Sequence, residues 1–156
     1  MAIVPFTDPN GFGIVGGHSN MEEWNAITRT ASETGIAPGQ PVQRVDGDNF
    51  SVEAWDGESA PLGVVRWTID ADTVDGYPVG KSISIMTMGV MDVAAGGTAT
   101  AGAQAGYDAA TDRWSDSGDP VPGVEFDTNG VSGALVKIRI NRPAPAIIAA
   151  EDNDNG

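Results

Sequence analysis

The sequence predicts an all-β protein: a small β-barrel, or a β-sandwich of tulip-like form, with an extended N-terminal arm and a disordered acidic C-terminal tail. Three observations carry this. The chain has 21 glycines and 10 prolines in 156 residues, well above the usual combined share of roughly 12%, so long uninterrupted helices have little room. The glycines show no three-residue period, which sets collagen aside. Short apolar–polar alternating runs recur between turn residues, the pattern of barrels and sandwiches.

Taken in order, residues 1–36 read as an arm. Pro5, Pro9 and closely spaced glycines break them up, and the large apolar residues Phe6, Phe12, Ile14, Val15, Trp24 and Ile27 follow no period of two. One short helix fits within the arm, with Asn20 as cap, Glu23 three residues on, and Met21, Trp24 and Thr28 on one face. Such an arm has too little apolar surface to fold alone, so it must lie on its own domain or on a neighbour. Residues 37–142 read as the β domain. The runs 41–45 and 50–55 flank Asp46-Gly47, a hairpin signal because glycine accepts positive φ cheaply. In the second run Phe50, Val52 and Ala54 share a face. Further strands are expected over 62–69, 82–93 and 134–140. In the last of these, Val136, Ile138 and Ile140 alternate with Leu135, Lys137 and Arg139, one face buried and the other mostly wet.

A loose internal repeat divides this domain. Gly39-Gln40-Pro41-Val42 leads to Trp55 and then Pro61-Leu62-Gly63-Val64. Gly102-Ala103-Gln104-Ala105 leads to Trp114 and then Val121-Pro122-Gly123-Val124. Two similar β units, 37–70 and 82–140, sharing one core would account for it. Residues 143–156 open on Pro143 and Pro145 and end in Glu151-Asp152-Asn153-Asp154, which reads as a solvated tail.

Composition removes several functions. The chain carries 22 acids against 8 bases, a formal net charge of −14. Nucleic-acid binding needs cationic surface to release counterions, and anionic membranes repel such a chain, so neither is an expected partner. Cysteine is absent and His18 is the single histidine, so thiolate chemistry and a two-histidine metal site are out of reach. No apolar run approaches the roughly 20 residues of a membrane span, and residues 1–5 lack the basic start of a signal peptide.

The motifs that resemble chemistry are weak. Gly11-Phe12-Gly13-Ile14-Val15-Gly16 matches a dinucleotide fingerprint, but no strand precedes it and no helix follows. The acids from Asp70 to Asp75 miss the calcium-loop spacing, and Lys81 stands where its bidentate Glu belongs; only incidental calcium is compatible with them. His18 lies in a glycine-rich arm, a poor base for preorganised catalysis. Met86, Met88 and Met91 suit soft packing better than a metal. No catalytic residue, metal site or cofactor is expected, and the chain reads as a non-enzyme.

Three stretches together resemble the bacteriophage capsid decoration, or structural cement, proteins. Asp8 to Gly16 is similar to that family's N-terminal segment. Gly39 to Val45, leading to Pro61-Leu62-Gly63-Val64-Val65, is similar to its first β unit. Gly89 to Gly97, Ala101 to Asp108, and Gly133 to Ile138 are similar to its second. The resemblance implies a non-enzymatic protein on the outer surface of the virion capsid. It would bridge neighbouring major capsid protein subunits, stabilise the head and associate with copies of itself, commonly as a homotrimer. Within that reading Phe6, Phe12, Ile14, Val15, Trp24, Arg139 and Arg142 are the candidate partner-binding residues. The rival reading is a carbohydrate- or cell-surface-binding β module, which needs an exposed platform from Trp55, Trp67 or Trp114.

Overall fold

The computed structural model describes residues 14–20, 22–68 and 75–141. Among them are nine strands: β1 (Asn25–Ala31), β2 (Pro41–Arg44), β3 (Ser51–Ala54), β4 (Gly63–Val65), β5 (Ser82–Ala94), β6 (Gln104–Asp108), β7 (Arg113–Ser115), β8 (Asp119–Phe126) and β9 (Leu135–Ile140). The described residues contain no helix. Phe6, Phe12, Arg142, the acids Asp70 and Asp72, and the tail lie outside them.

Five strands close into a barrel, in the order β1-β3-β2-β4-β5 and back to β1. Neighbours are antiparallel except β1 and β3, which are parallel. The hairpin expected at Asp46-Gly47 is present: Val42 pairs with Ala54, and Gly47 has a φ of 74°.

β5 is the axle of the molecule. Its 13 residues span about 40 Å at roughly 3.3 Å per residue. The first half pairs with β1 and β4; from Gly89 onward it pairs with β9. A second series, β5-β9-β8-β6-β7, follows. A parallel bridge between Ala95 and Trp114 returns it to the end of β5, with the Gly96 N–H donating to the Trp114 carbonyl at 2.8 Å. The two rings share one connectivity. In each, the first strand lies parallel to the third, the second pairs with the third and the fourth, and the fifth pairs with the fourth and the first. β5 is the fifth strand of one ring and the first of the other. The two copies of the sequence repeat fall at matching places, around the second, third and fourth strands of each ring.

Two apolar clusters fill the rings. Val42, Val52, Val65, Ile83, Ile85 and Tyr77 belong to one; Trp114, Tyr107, Phe126, Met91, Val136 and Ile138 belong to the other. Strand alternation divides neighbours between them. On β4, Val65 joins the first cluster and Val64 the second, and on β5 Ile85 and Met86 divide the same way. The rings are also joined by the Trp114 indole, 1% exposed, whose Nε1–H donates to the Gly39 carbonyl at 2.8 Å.

The helical turn expected around Asn20 to Thr28 is not formed. The Asn20 side chain does accept a backbone N–H, but from Glu22, two residues on, at 3.1 Å. This is a local turn rather than a cap. The chain then runs extended as β1, where β-branched Ile27, Thr28 and Thr30 suit a pleated surface. Pairing with β5 from Asn25 to Thr30, and with β3 at Thr30 and Ala31, outweighs a weak helix signal. Phe50 also differs from expectation. It is 76% exposed because it sits in the turn before β3, where the Asp48 carboxylate accepts its N–H at 2.8 Å.

Candidate functional site

Residues 14–20 form a strap laid along β5. The Gly16 N–H donates to the Asp92 carbonyl at 2.8 Å, the Asp92 N–H to Gly17 at 3.0 Å, and the Ser19 N–H to Val90 at 3.2 Å. His18 makes an antiparallel bridge with Met91, and the Gly16 carbonyl accepts from the Trp67 N–H at 2.8 Å. Gly16 is buried at a φ of 78°, and a Cβ there would meet Pro38 at 2.7 Å and the Trp67 nitrogen at 2.8 Å. Only glycine permits this close, left-handed passage. Ile14 and Val15 are half-buried, Val15 lying against Gly39. Of the two supports expected for the arm, its own domain takes residues 14–20.

The strap is held at its far end by a clasp. Arg139 Nη1 donates to Glu22 Oε2 at 2.6 Å, and Nη2 to Oε1 at 3.3 Å. Its Nε also donates to Asp127 Oδ1 at 3.1 Å. These bonds hold the Glu22 carboxyl below its ordinary value, the Arg139 hydrogen bond being the largest cause, and raise Arg139. The neighbouring base Lys137 is likewise engaged: its Nζ lies 2.8 Å from Asp92 Oδ1, a carboxylate 6% exposed.

Beyond the clasp stands Trp24, 42% exposed. The Arg66 guanidinium lies over its ring, 4.4 Å from the centroid, and the His18 imidazole is tilted against it at 5.0 Å. Arg66 is anchored to β5 by its N–H on the Ser84 carbonyl at 2.9 Å and by Nη1 on Ser84 Oγ at 3.3 Å. The buried side-chain atoms without a hydrogen-bond partner among the described residues are His18 Nε2, Ser19 Oγ, Arg29 Nε, Arg66 Nε and Trp67 Nε1. Four of these belong to the strap and to the Arg66-Trp67 segment beside it.

Of the sequence candidates, the structure therefore places Ile14 and Val15 in the strap, Trp24 beside it and Arg139 in its clasp. Phe6, Phe12 and Arg142 lie outside the described residues. Arg66 and His18 were not singled out as partner-binding. Arg66 follows a short buried strand, and nothing in its spacing marks it as Trp24's neighbour.

The tryptophans named for a sugar platform do not form one. Trp55 is 6% exposed, Trp114 1%, and Trp67 is half-buried. The indole of Trp55 is tied down by Nε1 donating to the Ser59 carbonyl at 2.7 Å. Glu22, Asp48 and Asp56 have carboxyl pKa values held below the ordinary range, Asp56 reaching about 2 through backbone N–H groups of Ser59 and Glu58.

A family model described as structural cement protein (E217 gp24/Pam3 gp6) matches residues 5–141. The chain belongs to this family of phage structural cement proteins. The match spans the arm, the strap and both rings, and the role it gives the cement protein is structural: stabilising the phage capsid. No curated protein matches the chain. Two solved structures share the fold of this cement protein. One is a chain of the capsid of Myoviridae phage XM1, at 13% identity and a TM-score of 0.64, covering 83% of this chain and 90% of that one. The other is the N base of head fiber gp8.5 in bacteriophage phi29, at 16% identity and a TM-score of 0.51, covering 77% and 96%.

Proposed function

We propose that this cement protein sits on the outer surface of the capsid, bridges neighbouring major capsid protein subunits, and does so as a homotrimer. The observation that carries the reading is the family match over residues 5–141, which takes in the N-terminal segment as well as the rings. The proposed contacts are the arm, through Phe6 and Phe12, together with Trp24 and Arg142. Ile14 and Val15 are proposed to steer the arm from the strap. Arg139 is proposed to act from its clasp, holding Glu22 and hence the approach to Trp24. A net charge of −14 keeps decorated particles apart in solution. Many weak copies on a lattice hold firmly without any one tight contact.

Two measurements test the finer points. Light scattering of the free protein should give about three times the 16.0 kDa chain mass; a monomer at all concentrations removes the trimer. Antibody against the chain should bind intact virions, and failure to bind them unless the capsid is opened removes the outer placement.

A further inference from the structure

Lys137 and Arg139, the two bases of β9, are occupied within the chain by Asp92, Glu22 and Asp127. Arg66 is not. Among the described residues no carboxylate lies within ion-pair distance of it, although the chain has 22 acids. Its Nε is buried without a partner, so a ligand would meet the Nη groups, of which Nη1 makes one long bond to a serine hydroxyl. Stacking on Trp24 fixes the plane of the guanidinium. A guanidinium held flat on an aromatic face keeps its N–H edge for bidentate binding of a carboxylate. Trp24 is the one tryptophan among the large apolar residues left exposed, and His18 braces its ring.

We propose that Arg66, stacked on Trp24 and backed by His18, is a docking site for a carboxylate side chain of a capsid subunit. The inference rests on the cement reading and adds to it a chemistry and a residue. Charge complementarity names the occupant: a guanidinium stacked on an exposed indole, with no acid of the described residues beside it, is a cation that an acidic side chain can grip. Trp24 supplies the apolar contact beside the ion pair, and Trp and Arg are both residue types enriched at interface hot spots.

The test uses the full chain and undecorated capsids. Arg66→Glu should weaken cosedimentation by about tenfold or more, as for a desolvated charge pair, with the melting temperature nearly unchanged. Arg66→Lys should lose part of the affinity, since it keeps the charge without the planar fork. Arg44→Glu, at an exposed base away from Trp24, should bind like the unaltered chain. In a second arm, a glutamate-rich peptide should perturb tryptophan fluorescence saturably and fail to do so for Arg66→Glu. Capsid binding unchanged in Arg66→Glu overturns the inference and leaves the cement role standing. Equal loss in Arg44→Glu assigns the effect to net charge and also overturns it. Binding that rises when Asp70 and Asp72 are both replaced by Asn gives the site to the chain's own loop, with the same consequence. Absence of binding by the unaltered chain removes the cement reading and this inference together.

Discussion

Arg139 was expected on the wet face of the last strand, and there it is, but its fork grips Glu22 from 117 residues away. Alternation gives the direction of the side chain; it does not give the partner, because that depends on the strap crossing β5. The consequence is a pH dependence. The folded pKa of Glu22 is depressed, so the clasp is intact above the ordinary carboxylate range and is lost as pH falls through the lowered value. The unaltered chain should therefore melt above Glu22→Gln near pH 7, and the two curves should converge as pH falls below the ordinary carboxylate range. Parallel curves across that range would show the clasp to be idle. At Trp114, the buried indole bond to Gly39 joins the rings. Trp114→Phe leaves that carbonyl without its donor, and denaturant unfolding should show a loss of about 1–3 kcal/mol.

At the scale of elements, the strap separates two jobs that the sequence merges into one arm. Residues 16–19 hold β5 and Trp67 through backbone bonds; residues 1–13 precede them. Removing 1–13 should lower capsid binding while leaving the melting temperature almost in place. Removing 1–20 should cost both, with a fall of about 5–15 °C, because β5 loses its edge partner along Val90 to Asp92. Equal melting temperatures for the two truncations would contradict the strap. The hairpin at Asp46-Gly47 and the strands β5 and β9 were legible, since turn chemistry and alternation are local. β1 was not. The turn at Asn20 just before it mimics a cap, and the extended form of its seven residues comes from pairing with β3 and β5, which lie distant in sequence. The docking residues divide the same way. Trp24 is conspicuous as an aromatic in a polar stretch, whereas Arg66 gains its place only when β4 brings it over that ring.

For the whole molecule, one long strand shared by two rings joins two apolar clusters, its successive residues dividing between them. The loose repeat in the sequence falls around the second to fourth strands of each ring, and a repeat read by residue spacing has no way to mark β5, a strand counted twice. The family match places the protein in the phage capsid. The most direct test is cosedimentation of the purified chain with undecorated capsids, read as copies bound per major capsid protein. The account predicts saturable binding at a fixed ratio, with decorated heads surviving heating that disrupts bare ones. Binding that never saturates, or saturates without raising the temperature at which heads open, contradicts it.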